Sequence, residues 1–284
     1  MRIAGLAYGL VLTVALALSA LLGAAAPAAA AGTDTVEFPS GDIKLKAHVF
    51  KPDGAGPFPA VVALHGCEGL HGPANTLSIR YRDWADRLVK AGFAVIFPDS
   101  YGSRGRGNQC RVRATLRADR ERMADANAAR VWLQTQPFVK PEHVSLLGWS
   151  SGAVSVLWAV RPQARIRGDK PDFRSAVAFY PGCRRLEATA WSARMPTLIL
   201  SGGADDVVSA RACEQMVSGA RGRSARATII VYPGAYHDFD HPSRPVQVRT
   251  GYAFSTDNTG RIHTGSNPAA RNDSHRRVLK WLAR

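Results

Sequence analysis

Val144-Ser145-Leu146-Leu147-Gly148-Trp149-Ser150-Ser151-Gly152-Ala153 is the stretch on which the fold turns. Its first four residues make a short apolar-rich run, and Gly152–Val160 beyond them reads as a helix. Between the two lies Gly148-x-Ser150-x-Gly152, a string that is weak evidence on its own. Set between a strand and a helix, it becomes a sharp turn. That turn lifts a serine hydroxyl to the rim of a sheet and aims the following backbone N–H groups at the same spot. Glycines are required on either side because strand and helix pack close there. Ser150 is the centre of the pattern, and Ser151 is the neighbouring alternative. A Gly/Ser turn without chemistry is the plainer reading, and only residues later in the chain can decide against it.

Outward from the turn, continuous apolar runs recur at Ala60–Leu64, Phe93–Phe97, Ala176–Tyr180, Thr197–Leu200 and Thr228–Tyr232. Runs of this kind suit strands buried on both faces. Helix-like stretches separate them, at Leu77–Ala91, Leu116–Gln134, Ala210–Ala220 and Asn272–Leu282. The repetition predicts an α/β fold, a mainly parallel central sheet with helices on both faces. Ile43-Lys44-Leu45-Lys46-Ala47-His48-Val49 alternates instead, which predicts a half-exposed antiparallel strand before the parallel part. Asp240 to Ala269 is polar and turn-rich and reads as an irregular excursion before the last helix.

A serine hydroxyl is a poor nucleophile until a base takes its proton. In folds with this elbow the acid and the histidine follow the serine, each at the end of a later strand. Ser201-Gly202-Gly203-Ala204-Asp205-Asp206 follows the run Thr197–Leu200, and Asp205 is preferred over its fallback Asp206. Pro233-Gly234-Ala235-Tyr236-His237 follows the run Thr228–Tyr232, which makes His237 the candidate base. A loop histidine is ordinarily a surface residue, and only this position argues otherwise. His65-Gly66-Cys67 follows the run Ala60–Leu64; the backbone N–H groups of Cys67 and Ser151 are the expected oxyanion hole. His65 is read as a loop brace, and Cys67 as contributing backbone rather than a nucleophilic thiol. The constellation predicts acyl transfer on a small-molecule carboxylic ester, with no metal or organic cofactor. His237 and His241 are four apart, but Pro242 and the turn residues around them argue against a metal face.

The N-terminus carries a second message. Met1-Arg2, an apolar run from Ile3 to Leu22 and the small residues Ala29-Ala30-Ala31 read as a signal peptide over 1–31, cleaved after Ala31. The other reading is a retained anchor, since the run approaches membrane-spanning length. Residues 32–284 are then a single catalytic domain, periplasmic or secreted, with no stable membrane anchor after cleavage. Four cysteines, Cys67, Cys110, Cys183 and Cys213, are an even number in an exported chain and suggest disulfides, with three pairings open. The 37 Lys and Arg against 22 Asp and Glu give a net charge of +15, densest between Arg104 and Arg122. That run lacks interleaved aromatics and matches no nucleic-acid module, so no nucleic acid is expected. It is read as a solvated basic face, able at most to attract anionic ligands.

Several of these stretches together resemble the dienelactone hydrolase family, particularly its exported bacterial members. They are Ala63-Leu64-His65-Gly66-Cys67-Glu68-Gly69-Leu70, Pro98-Asp99-Ser100-Tyr101-Gly102-Ser103-Arg104-Gly105, the elbow, Gly203-Ala204-Asp205-Asp206, and Tyr232-Pro233-Gly234-Ala235-Tyr236-His237-Asp238-Phe239. The resemblance implies the α/β-hydrolase fold and ester hydrolysis. Two departures separate this chain from enzymes acting on dienelactone itself: they use a cysteine nucleophile where Ser150 stands, and a glutamate where Gly66 stands. The resemblance also implies the disulfides Cys67–Cys110 and Cys183–Cys213. It leaves Arg104 as either a carboxylate clamp or, preferred, a brace of its own loop. Two other activities use the same residues, a peptidase or an acyltransferase. A non-catalytic secreted module holding anionic ligands is the alternative outside enzymology.

Overall fold

Long all-apolar strands can exist only where both sheet faces are covered, and here they are. The computed structural model describes Met1 and residues 33–112, 116–164 and 169–284. The predicted signal segment and Arg113 of the arginine run lie outside the described residues. In chain order the elements are β1 (Thr33–Ser40), β2 (Ile43–Phe50), β3 (Phe58–Leu64), α1 (Ile79–Lys90), β4 (Ala94–Pro98), α2 (Glu121–Leu133), β5 (Val139–Trp149) and α3 (Ser151–Ala159). There follow β6 (Ala176–Phe179), α4 (Arg184–Glu187), β7 (Thr197–Gly202), α5 (Ala210–Gly219), β8 (Ala227–Tyr232), β9 (Gln247–Arg249), β10 (Ile262–Thr264) and α6 (Pro268–Leu282).

Eight of the strands form one sheet in the order β1-β2-β4-β3-β5-β6-β7-β8. β1 and β2 are antiparallel, β2 joins β4 antiparallel, and β3 onward is parallel. This is the α/β-hydrolase fold. Because side chains alternate along a strand, β3 feeds two cores. Val62 and Leu64 pack with Ala126, Ala129 and Leu133 of α2 and Val156 of α3. Val61 and Ala63 pack with Trp84 and Leu88 of α1 and Val278 of α6. In β2 Leu45, Ala47 and Val49 turn inward while Lys44 and Lys46 stay exposed, the origin of its alternating pattern.

Two helix starts differ from expectation by several residues, each for a local reason. α2 starts at Glu121 rather than Leu116, because the Glu121 carboxylate accepts the Arg117 N–H at 2.9 Å and closes a turn ahead of the helix. α6 starts earlier than Asn272: the Asn267 side chain accepts the Ala270 N–H at 3.1 Å, and Pro268, which has no N–H to satisfy, takes the first turn. The 240–269 excursion contains the small antiparallel pair β9 and β10. β1, not foreseen, covers the sheet edge beside β2.

Arg104 is a brace and not a substrate clamp. Its guanidinium forks onto both Asp125 oxygens at 2.8 Å, and it also donates to the Ser100 carbonyl. Asp125 is itself fully buried and takes the Ser40 hydroxyl at 2.6 Å, which ties β1 and the loop after β4 to α2. The arginine run is therefore not one solvated face, since Arg104 and Arg122 turn inward. Cys67–Cys110 and Cys183–Cys213 are bonded, which fits an oxidising compartment.

Candidate active site

β5 ends in the elbow, and Ser150 sits there with φ 51° and ψ −117°, a conformation L-residues avoid. It is held by its neighbours: the Ser150 N–H donates to the Phe179 carbonyl at 3.0 Å, and its own carbonyl accepts from Val154 at 3.0 Å. The flanking glycines are steric necessities. A Cβ on Gly152 would stand 2.2 Å from the Leu64 carbonyl oxygen, and one on Gly148 would stand 2.7 Å from the Gly152 backbone. Only glycine lets β3, β5 and α3 come this close.

His237 enters from the loop after β8. Its Nε2 lies 3.0 Å from Ser150 Oγ and its Nδ1 2.7 Å from Asp205 Oδ2. The other Asp205 oxygen accepts the N–H groups of Val207 and Val208, at 2.9 and 3.0 Å, which fixes the carboxylate. Asp206 faces elsewhere. It takes the backbone N–H and the Nδ1 of His263 at 2.8 and 2.7 Å, and so anchors β10. β10 in turn steadies the His237 loop, where the Gly265 N–H donates to the His237 carbonyl at 2.9 Å. Burial disfavours a charged His237, but the Asp205 charge and hydrogen bond outweigh it and raise its pKa above the ordinary 6.5.

The loop after β3 runs beside the elbow, where a Cβ on Gly66 would stand 3.5 Å from the Ser150 Cβ. The Gly66 N–H donates to the Tyr81 hydroxyl at 2.8 Å, and Cys67 is fastened to Cys110. Among the described residues, the backbone N–H groups of Cys67 and Ser151 donate to no other group. His65 is fully buried and bonds the Gly66 carbonyl at 2.8 Å; burial first, and the nearby Arg122 charge, hold its pKa well below 6.5. His241 serves its own turn, its Nδ1 accepting the N–H groups of Ser243 and Arg244.

The site also rests on residues that local sequence patterns do not reveal. Asp240 is fully buried and accepts the indole N–H groups of Trp84 and Trp149 at 2.8 Å and the Tyr180 hydroxyl at 2.6 Å. Asp238 pairs with Arg80 at 2.7 Å and with Arg244; despite burial, the Arg80 charge above all drives its pKa down. The Tyr180 ring packs against the His237 imidazole with centroids 4.5 Å apart. The only hint of this in the sequence is the pair of acids flanking Phe239. A cavity of about 680 Å³ opens over Ser150, and Tyr101, Trp158 and, from the excursion, Tyr252 and Phe254 are among its walls.

Known proteins resemble this chain in sequence and in fold. A relative from Escherichia coli named "Putative carboxymethylenebutenolidase" is 28% identical over 223 residues, covering 72% of this chain and 76% of its own. Among solved structures, a dienelactone hydrolase-like promiscuous phosphotriesterase from metagenomic libraries superposes with a TM-score of 0.67 at 18% identity, over 89% of this chain and 98% of that one. Esterase 2 of Thermogutta terrifontis, in its apo form, gives 0.57 at 19% identity over 75% and 87%. The model of the dienelactone hydrolase family matches residues 45–284. With that match running from within β2 to the end of the chain, this protein belongs to the dienelactone hydrolase family.

Proposed function

We propose that the protein is an exported carboxylic-ester hydrolase in which Ser150, His237 and Asp205 form the catalytic triad. The observation that carries the reading is the unbroken chain of hydrogen bonds from Asp205 to His237 at 2.7 Å and from His237 to Ser150 at 3.0 Å. It ends on a serine in a strained turn at the cavity wall, and family membership supports the ester chemistry.

In the first half-reaction His237 Nε2 accepts the Ser150 proton as Oγ bonds to the ester carbonyl carbon. Asp205 keeps the ring oriented and stabilises the imidazolium. The negative charge that develops on the carbonyl oxygen is met by the N–H groups of Cys67 and Ser151, each worth about 3–4 kcal/mol in comparable sites. Collapse expels the alcohol, which takes the proton back from His237. Water then enters by the same route, loses a proton to His237, attacks the acyl carbon and releases the carboxylic acid and free Ser150.

The substrate is a carboxylic ester other than dienelactone, given the serine and Gly66 at positions where enzymes acting on dienelactone carry cysteine and glutamate. The proposal extends to the N-terminus: residues 1–31 are a cleaved export signal and 32–284 the working domain, a reading that two disulfides support. An exported protein beginning at a residue far from Gly32 would count against it. For the chemistry, Ser150→Ala should lower p-nitrophenyl ester hydrolysis by at least about a thousandfold with the fold intact. A variant as active as the parent would refute the assignment.

A further inference from the structure

Arg122 stands in the first turn of α2 at 1% exposure, with its guanidinium at the wall of the cavity. A buried cation is costly unless a carboxylate neutralises it. Arg80 and Arg104 follow that rule, paired with Asp238 and Asp125. Arg122 does not. Among the described residues no carboxylate lies within ion-pair distance of it, and its Nε has no hydrogen-bond partner.

What it touches instead converges on the reaction centre. Nη1 donates to the Ser151 hydroxyl at 3.0 Å and Nη2 to the His65 carbonyl at 2.5 Å. The guanidinium lies over the Tyr101 ring, 5.0 Å from its centroid, and that ring packs edge-on against His65. Ser151 follows the nucleophile, and His65 opens the turn that carries Cys67. A single side chain from α2 thus bridges the ends of β3 and β5, where the two oxyanion donors sit. His65 adds no charge of its own, because burial and Arg122 keep it neutral. A positive charge left unbalanced behind the donors gains little from a neutral ester. It gains most when negative charge develops on the carbonyl oxygen.

We propose that Arg122 is the positioning residue of the oxyanion hole, locking Ser151 and the His65–Cys67 turn in register and holding an unneutralised charge behind them for the tetrahedral oxyanion. The proposal rests on Ser150 as nucleophile. The test therefore carries wild type and Ser150→Ala as controls beside Arg122→Met, Arg122→Lys and Ser151→Ala. Each is assayed for p-nitrophenyl ester hydrolysis and for inhibition by an alkyl trifluoromethyl ketone, which forms a hemiketal oxyanion on the serine. The matching secondary alcohol, which cannot form one, reports ground-state binding.

Arg122→Met should lose about a hundredfold in kcat with KM within about threefold, and ketone affinity should fall with kcat while alcohol affinity holds. Arg122→Lys, which keeps the charge but not the fork, should fall between Met and wild type. Ser151→Ala, which cuts one arm of the fork and keeps the backbone N–H, should weaken the ketone by about tenfold or less but measurably. Ketone and alcohol affinities falling together, unchanged kcat in Arg122→Met, or equal Met and Lys variants would each overturn the proposal. Should Arg122→Met fail to fold, unchanged ketone affinity in Ser151→Ala overturns it. Failure of the underlying reading is distinguishable, because Ser150→Ala would then retain activity whatever Arg122 does.

Discussion

His237 is useful as a base only when neutral, yet its surroundings favour the proton. Asp205 lies on its Nδ1 side, Asp238 follows it in the chain, and Arg80 opposes both. The net effect is a pKa above 6.5, so activity should be present at higher pH and be lost as pH falls through that raised value. We expect the acid limb of kcat/KM to have its midpoint above 6.5. Asp205→Asn removes the main raising cause; the limb should move to lower pH while kcat drops by about a thousandfold or more. A limb that stays in place in Asp205→Asn would assign it to another group. At this scale Ser150, Asp205 and His237 were legible as candidates because each follows an apolar run. Arg122, Asp240 and Arg80 were not. Their roles come from partners 57, 91 and 158 residues away, and no local pattern encodes such a pairing.

Among the elements, the loops after β3 and β4 support the site through contacts that lie far apart in the chain. Cys67–Cys110 pins one to the other, and the Ala253 N–H donates to the Cys110 carbonyl at 2.9 Å, which brings the 240–269 segment onto the same anchor. Replacing both cysteines, Cys67→Ser with Cys110→Ser, should cost about 2–4 kcal/mol of stability. It should also lower kcat by about tenfold, because Cys67, by our proposal an oxyanion donor, loses its tether. A lower melting temperature with unchanged kcat would make the bridge purely structural. The excursion itself was legible only as irregular. That it carries β9 and β10, with Asp206 as their anchor, depends on a contact between His263 and a residue 57 positions earlier. Helix starts were misread by a few residues because they are set by backbone N–H groups donating to the Glu121 and Asn267 side chains rather than by changes in apolar period.

For the whole molecule, the class of fold was readable from strand burial alone, since β3, β4, β6 and β7 are continuous apolar runs between helices. The strand order was not, because placing β3 between β4 and β5 requires pairings no single run reveals. The net charge of +15 was also a blunt guide. Several arginines lie inside, where they brace loops and, by our proposal, serve the oxyanion hole. What joins these scales is one claim, that the fold exists to expose Ser150 to His237 beneath a large cavity. It is tested most directly by intact-mass spectrometry and peptide mapping of the exported protein after reaction with an alkyl fluorophosphonate. The account predicts a chain beginning at Gly32 that carries a single adduct, on the peptide containing Ser150. An unmodified chain, or an adduct on any other residue, would contradict it.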